Sequence, residues 1–263
     1  MVELSKVLGK ASVYSEKGVS VMGMGMKIIG LIPARSGSKR IQGKNMALLN
    51  GKPLLQYAIE SALESEMFNE IVVTSNWREC QNLALKFGVA YLSRPDEICH
   101  DHSHDFEFVS HALSQDKYLD FDIFVILRPT SPFRTAATIR RALAEFQELE
   151  GDSMRAVSLT RCHPRKSWQI SGTVMHPYFA DDEINGFPAY DQATQALGPV
   201  YCQNGCIHVA WTETLERYGN VSGKVIVPFL TEGYEEIDIN DSMDLAFAEM
   251  LMLAQDMRGK QDG

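Results

Sequence analysis

Two apolar runs constrain the fold of this chain more than any other feature. Ile28-Ile29-Gly30-Leu31-Ile32 stops at Pro33, and Phe121 to Leu127, with Asp122 as its one charged residue, stops before Pro129. Successive side chains of a strand point to opposite faces, so an unbroken apolar run must be covered on both. That is the pattern of central strands in a mainly parallel sheet. The flanking segments agree. Pro53 opens a helical face of Leu54, Leu55, Ala58, Ile59, Ala62 and Leu63. Ile71 to Val73 predicts a strand, residues 77–87 a helix stopped by Gly88, Val89 to Leu92 a strand and Phe106 to Leu113 a helix, while Thr135 caps a helix through about Leu149.

Repeated strand-then-helix alternation predicts an α/β, Rossmann-like fold with helices on both faces of the sheet and ligands outside the carboxyl ends of the strands. The loops after Ile32 and Leu127 are where chemistry is expected. From Ala156 to Val209 the pattern changes to short strands and turns at Pro164, Gly172, Pro177, Gly186, Pro188, Gly198 and Pro199, which predicts a small inserted β-rich subdomain over about 160–205. A strand at Val225 to Val227, an acidic turn at Glu235 to Asp241 and a helix from about Ser242 to Met257 close the chain, with 258–263 as a tail. Residues 1–26 lack periodicity and are expected to be an extension ahead of one domain spanning 27–257.

A chain of 263 residues, 45% hydrophobic and 22% charged, buries a core without disulfide or metal staples. Its 25 Lys and Arg against 34 Asp and Glu leave a net charge of −9. That excludes a general nucleic-acid binder, which needs cations to displace counterions from phosphate. An anionic ligand would require positive charge gathered in one place. Cys80, Cys99, Cys162, Cys202 and Cys206 are not spaced for a zinc site and are expected as reduced thiols. No apolar run approaches the roughly 20 residues of a membrane span, and the N-terminus lacks a secretory core. The expected location is the cytoplasm, away from membranes.

Such a concentration of charge exists after the first strand. Ala34 to Asn45 holds Arg35, Lys39, Arg40 and Lys44 together with Gly37, Gly43, Ser36 and Ser38. Small residues let backbone N–H groups approach an anion and the cations neutralise it, so the loop is suited to a polyphosphate. It also fits a solvated basic turn. Neither a Walker A loop nor a dinucleotide fingerprint is present.

The same residues carry a resemblance. Leu31-Ile32-Pro33-Ala34-Arg35-Ser36-Gly37-Ser38-Lys39, with Gly43-Lys44-Asn45, resembles the N-terminal signature of the acylneuraminate cytidylyltransferases, which make CMP-sialic acids. Leu127-Arg128-Pro129-Thr130-Ser131-Pro132-Phe133-Arg134-Thr135 resembles that family's strand-end motif, and Arg94-Pro95 its Arg-Pro. Tyr201-Cys202-Gln203-Asn204-Gly205-Cys206-Ile207 is similar to its Asn-Gly-Ala-Ile segment, and Ile237-Asp238-Ile239-Asn240 to its acidic turn. The blocks fall in the family's order over roughly 27–250.

The resemblance implies a nucleotidyltransferase that joins CTP to an acidic nine-carbon sugar at the anomeric hydroxyl and releases pyrophosphate, chemistry that is mostly positioning and charge neutralisation. It implies that Arg35, Ser38, Lys39 and Lys44 hold the triphosphate, that Asn45 and Arg94 hold the nucleoside and its phosphate, and that Arg35, Lys44 and Asp238 are catalytic. Asp238 and Asn240 would bind Mg²⁺, with an amide at Asn240 where the family has a second carboxylate; Asp241 or Asp244 could compensate, and capping of the last helix by Asp238 and Asp241 is the competing reading. Arg128, Lys166 and Asn204 fall on the sugar side. Arg128 replaces a common Gln, and Thr194 stands where the family's carboxylate-binding arginine does, so Arg128 either supplies that contact or pairs with an acid such as Asp122. His208 replaces a tyrosine, which implies an altered sugar pocket and leaves the sugar open to legionaminic- or pseudaminic-type acids; Arg40 replaces a glycine and has no assigned role. His100-Asp101-His102-Ser103-His104-Asp105 looks like a metal cluster, but His104 fits a helix cap and Asp101 a nucleotide pocket. Trp168, Tyr178 and Phe179 fit a dimerisation platform, so a homodimer or homotetramer is expected. Two alternatives stay open: a different 2-keto-3-deoxy acid such as a 3-deoxy-octulosonate, and a nucleotide-binding protein without catalysis.

Overall fold

The buried run at the start of the chain forms β1 (Ile28–Pro33) in a computed structural model of the protein that describes residues 25–179, 182–184 and 186–259. It is followed by α1 (Leu54–Ser65), β2 (Glu70–Ser75), α2 (Arg78–Lys86), β3 (Ala90–Ser93), α3 (Asp105–Leu113), β4 (Ile123–Ile126) and α4 (Ala136–Glu148). Thr135 caps α4, its hydroxyl accepting from the Thr138 N–H at 3.2 Å. The second half adds β5 (Ser153–Leu159), β6 (Tyr201–Trp211), α5 (Glu213–Tyr218), β7 (Ile226–Leu230) and α6 (Ser242–Gly259). The expected extension at 1–26 lies almost wholly outside the described residues, as does most of the tail.

The seven strands form one sheet in the order β7-β5-β6-β4-β1-β2-β3. β1 pairs in parallel with β2 and β4, β2 with β3, and β5 with β7, while β6 runs antiparallel to both neighbours. The two-faced pattern of the apolar runs is realised residue by residue. Ile28, Ile32, Ile123 and Val125 pack on the face covered by α1, α2 and α4. Ile29, Leu31, Phe124 and Ile126 pack on the other with Phe108, Val109 and Ala112 of α3. Removing Phe124, which is fully buried, would cost about 3–5 kcal/mol.

The insertion expected over about 160–205 overlaps the start of Tyr201–Trp211, which is a strand of the main sheet beside Ser153–Leu159. β6, between β5 and β4, is eleven residues long, with a register shift against β5 between Gln203 and His208. What projects between β5 and β6 is a hairpin, Trp168–Ser171 paired with Val174–Pro177, and a shorter ladder of Glu183–Ile184 with Phe187–Pro188. Arg165 and Asp182 tie them at 2.7 Å, and the Trp168 and Tyr190 rings meet at 4.7 Å. No helix among the described residues is long and apolar enough to cross a membrane.

Candidate active site

A cleft of about 570 Å³ opens at the carboxyl ends of β1 and β4, where a sheet of this kind exposes strand-end loops. The loop after β1 forms its floor. Ala34 extends the ladder by donating its N–H to Thr74, and the Ser36 N–H donates to Asn76 Oδ1 at 3.0 Å. Asn45, only 6% exposed, donates its side-chain amide to the Arg35 carbonyl at 2.9 Å, which closes the loop on itself. Gly43 turns the chain at a φ of +63°, and a Cβ there would stand 2.8 Å from the Trp77 ring. A side chain at that position is excluded twice over.

Six basic side chains line the cleft, Arg35, Lys39, Arg40, Lys44, Arg94 and Arg128, against the carboxylates of Asp101, Asp105 and Asp238. The acidic chain thus gathers positive charge at one point. Asp101 bridges Lys39 at 2.6 Å and Arg35 at 2.7 Å, and those hydrogen bonds, Lys39's first, pull its carboxyl down to about 2. Lys44 donates to the Ile239 carbonyl at 3.0 Å; burial lowers its pKa, Asp238 opposes that, and Arg40 and Arg35 reinforce it. Arg94 donates to Thr74 Oγ1 and to the Thr74 carbonyl and lies 4.7 Å over the Phe108 ring, with burial lowering its pKa to about 10.

Asp238 is brought to the rim by two hydrogen bonds of its neighbour. The Ile239 N–H donates to Thr130 after β4, and the Ile239 carbonyl accepts from Lys44 after β1. Asn240 donates its amide to Asp238 Oδ2 at 3.1 Å, whereas Asp238 Oδ1 is buried without a partner. Gly205 permits this: a Cβ there would lie 3.0 Å from Oδ1 and 3.1 Å from Ser131 Oγ. Asp241 and Asp244 cap α6, Asp241 Oδ1 accepting from the Met243 and Asp244 N–H groups and Asp244 Oδ2 from those of Asn240 and Asp241. Both carboxylates are engaged in this cap, and Asp238 takes no part in it.

The likeness to known proteins agrees with this geometry. The family described as Cytidylyltransferase matches residues 29–165, which hold the loops after β1 and β4 but not the turn that carries Asp238 and Asn240. The CMP-N,N'-diacetyllegionaminic acid synthase of Legionella pneumophila is 34% identical over 235 residues, covering 86% of this chain and 97% of that protein. The chain belongs to the cytidylyltransferase family. The N-acylneuraminate cytidylyltransferase of Escherichia coli O18:K1:H7 is 36% identical over 226 residues, 86% of this chain, and this chain spans about half of that relative's length, 52%. The solved CMP:2-keto-3-deoxy-manno-octonic acid synthetase complexed with CTP shares the fold, with a TM-score of 0.64 at 16% identity over 87% of this chain and 99% of that one.

In this cytidylyltransferase, Arg35, Ser38, Lys39, Lys44, Asn45, Arg94, Arg128, Asp238 and Asn240 all line the one cleft. Lys166 and Asn204 do not. Lys166 ends a short turn, Pro164–Lys166, at the root of the insertion. Asn204 bonds Thr231 Oγ1 at 3.1 Å and the Cys206 N–H at 3.2 Å, holding the β6 irregularity that positions Gly205. Thr194 lies in a turn of the insertion. Asp122 accepts from the Lys27 N–H, and the acid that pairs with Arg128 is Asp105, at 2.5 Å. His104 stands at the N-cap of α3, its N–H donating to Glu107 Oε2, and no group of three or more His, Cys, Asp or Glu side chains among the described residues could hold a metal ion. Two contributors had no assigned role in the sequence. Arg40 lines the cleft. Arg134, 2% exposed, donates to the carbonyls of Arg128 and Cys206 and so ties the β4 end to β6. It stands in the quoted Leu127 to Thr135 block, which marks the position but not its partners.

Proposed function

We propose that the chain transfers CMP from CTP to the anomeric hydroxyl of a nonulosonic, sialic-acid-like sugar and releases pyrophosphate. The observation that carries this reading is the cleft itself: six cations around a strand-end loop, with Asp238 at its rim. Arg35, Ser38, Lys39 and Lys44 receive the triphosphate, displacing Asp101 from Arg35 and Lys39. Asn45 and Arg94 hold the nucleoside side. The anomeric hydroxyl gives up its proton to solvent as its oxygen bonds to the α-phosphorus, the bond from that phosphorus to the bridging oxygen breaks, and Lys44 neutralises the leaving pyrophosphate. Arg128, which lines the cleft, serves the sugar side.

Asp238 and Asn240 fit Mg²⁺. A hard dication that keeps most of its waters takes one or two carboxylates and the substrate's phosphates, and Asp238 offers one buried oxygen with no other partner. When bound, the ion would draw charge off the phosphates. Asn240 orients the carboxylate from 3.1 Å.

The exposed apolar hairpin supports a homodimer, or a homotetramer built from it, and five unpaired cysteines support a reducing, cytoplasmic setting. Pyrophosphate release from CTP tests the reaction. It should require Mg²⁺ and a nonulosonic acid together; no release with any such acid would overturn the proposal, and release with a 3-deoxy-octulosonate alone would move the activity to that acid.

A further inference from the structure

Asp101 holds two of the cations that the triphosphate needs, and the transfer as written only moves it aside. Its carboxylate oxygens divide between them: Arg35 Nη1 donates to Oδ1 at 2.7 Å and Lys39 Nζ to Oδ2 at 2.6 Å. The Lys39 side chain is otherwise open to solvent, at 84% exposure, and Arg35 Nη1 has one further contact, the Cys99 carbonyl at 3.5 Å. Among the described residues no other carboxylate pairs with either cation.

The carboxylate is carried by a short turn whose shape does not depend on it. The Ser103 N–H donates to the His100 carbonyl at 3.2 Å, and the His100 N–H to Ser103 Oγ at 3.0 Å. On one side the buried Cys99 donates its N–H to the Asp96 carbonyl, and on the other His104 stands at the N-cap of α3. None of these bonds uses the Asp101 side chain, which can therefore leave the cations by rotating about its own bonds while the turn stays closed.

Without it, like charges would crowd the loop, since Arg40 and Arg35 already oppose the charge on Lys44. A triphosphate brings more charge than one carboxylate and is held at its nucleoside end as well, so it displaces Asp101. Pyrophosphate, once split off, has lost the nucleoside contacts and holds the cleft by charge alone. A ligand that must displace an internal group binds more weakly by the fraction of molecules in which its site is free.

We infer that Asp101 is an internal competitor for the phosphate site, which takes back Arg35 and Lys39 after the phosphorus–oxygen bond has broken and loosens the hold of the cleft on pyrophosphate, with a matching loss of CTP affinity. The inference rests on the triphosphate site proposed above and adds the group that clears it.

Calorimetric titration of inorganic pyrophosphate, CTP and CMP, each with and without Mg²⁺, on wild type, Asp101→Asn and Asp101→Glu tests this role. Asp101→Asn keeps the shape of the side chain and removes its charge. It should bind pyrophosphate and CTP about tenfold tighter with or without Mg²⁺, and CMP within about twofold of wild type. In turnover the KM for CTP and the pyrophosphate concentration that inhibits should both fall about tenfold, with no rise in kcat. Asp101→Glu restores the charge and should return pyrophosphate affinity toward wild type. Unchanged or weaker pyrophosphate binding by Asp101→Asn would overturn the inference, as would weakening confined to Mg²⁺, which would make Asp101 a metal ligand, or weaker CMP binding, which would place it on the nucleoside. A higher kcat would overturn it too. Wild type that binds CTP and pyrophosphate but turns over no sugar acid would overturn the transfer reaction alone, whereas wild type that binds neither would overturn the phosphate site on which both readings stand.

Discussion

The two ends of this molecule solve the problem of burial differently. Around β1 and β4 the chain covers its own apolar surface: Ile29, Leu31 and Phe124 have no exposure, and the polar atoms of the loop are matched by Asn45, Asn76 and Asp101. In the insertion after β5 the same kinds of residue face outward, Ile170 at 78%, Phe187 at 64% and Val174 at 55%. An isolated two-stranded hairpin is marginal in water, and contiguous exposed apolar surface marks an interface. The cleft end covers its apolar residues with its own chain, whereas the insertion leaves Ile170, Val174 and Phe187 exposed. The first should therefore tolerate dilution and fail by single charge deletions; the second should fail by loss of a neighbour.

The sharpest way to break that contrast is at Asp238. Asp238→Asn should lower turnover about 10³-fold while the melting temperature and CTP affinity stay near wild type; a variant with ordinary kcat would remove the rim from the chemistry. Next is Lys44→Ala, expected to cost about 10²-fold in kcat/KM for CTP, read by pyrophosphate release. The sugar KM should hardly move. A pair of charges in the insertion, Ile170→Glu with Val174→Glu, should convert the assembly to monomers in sedimentation, with the CTP-induced melting shift preserved, since the nucleotide end needs no partner.

The smallest effect is at His208, in the sheet that joins the two ends. Burial, reinforced by Arg155, pushes its pKa from 6.5 down to about 3. The unfolded chain therefore takes up this proton first, so the stability tied to the neutral ring is complete above about pH 6.5 and declines as the pH falls from there toward 3. His208→Phe, which keeps the ring against Phe124, should flatten the fall of melting temperature between pH 6.5 and 4.5; an unchanged slope would mean that other groups carry it.

What was legible in the sequence follows the same division. The β1 loop and the β4 end were readable because their requirements are local: a two-faced apolar run, a stop at proline, then small and basic residues in sequence. Asp238 was readable from its turn. The partners were not, because they depend on which distant segments the sheet order brings together. Asp105 reaches Arg128 only because α3 packs beside the end of β4, and Asp122, nearer in sequence, is turned toward Lys27. Arg134 gives no local sign that its guanidinium will span to Cys206. Tyr201–Trp211 misled because a polar-flanked antiparallel strand in a mainly parallel sheet has the pattern of a hairpin strand.

The most direct measurement is mass spectrometry of the products from CTP, Mg²⁺ and an N-acylated nonulosonic acid, with pyrophosphate counted in the same reaction. A sugar phosphodiester of CMP formed in equal amount to pyrophosphate is the predicted result. CTP left intact across the acids, or CMP released without a sugar attached, would contradict it.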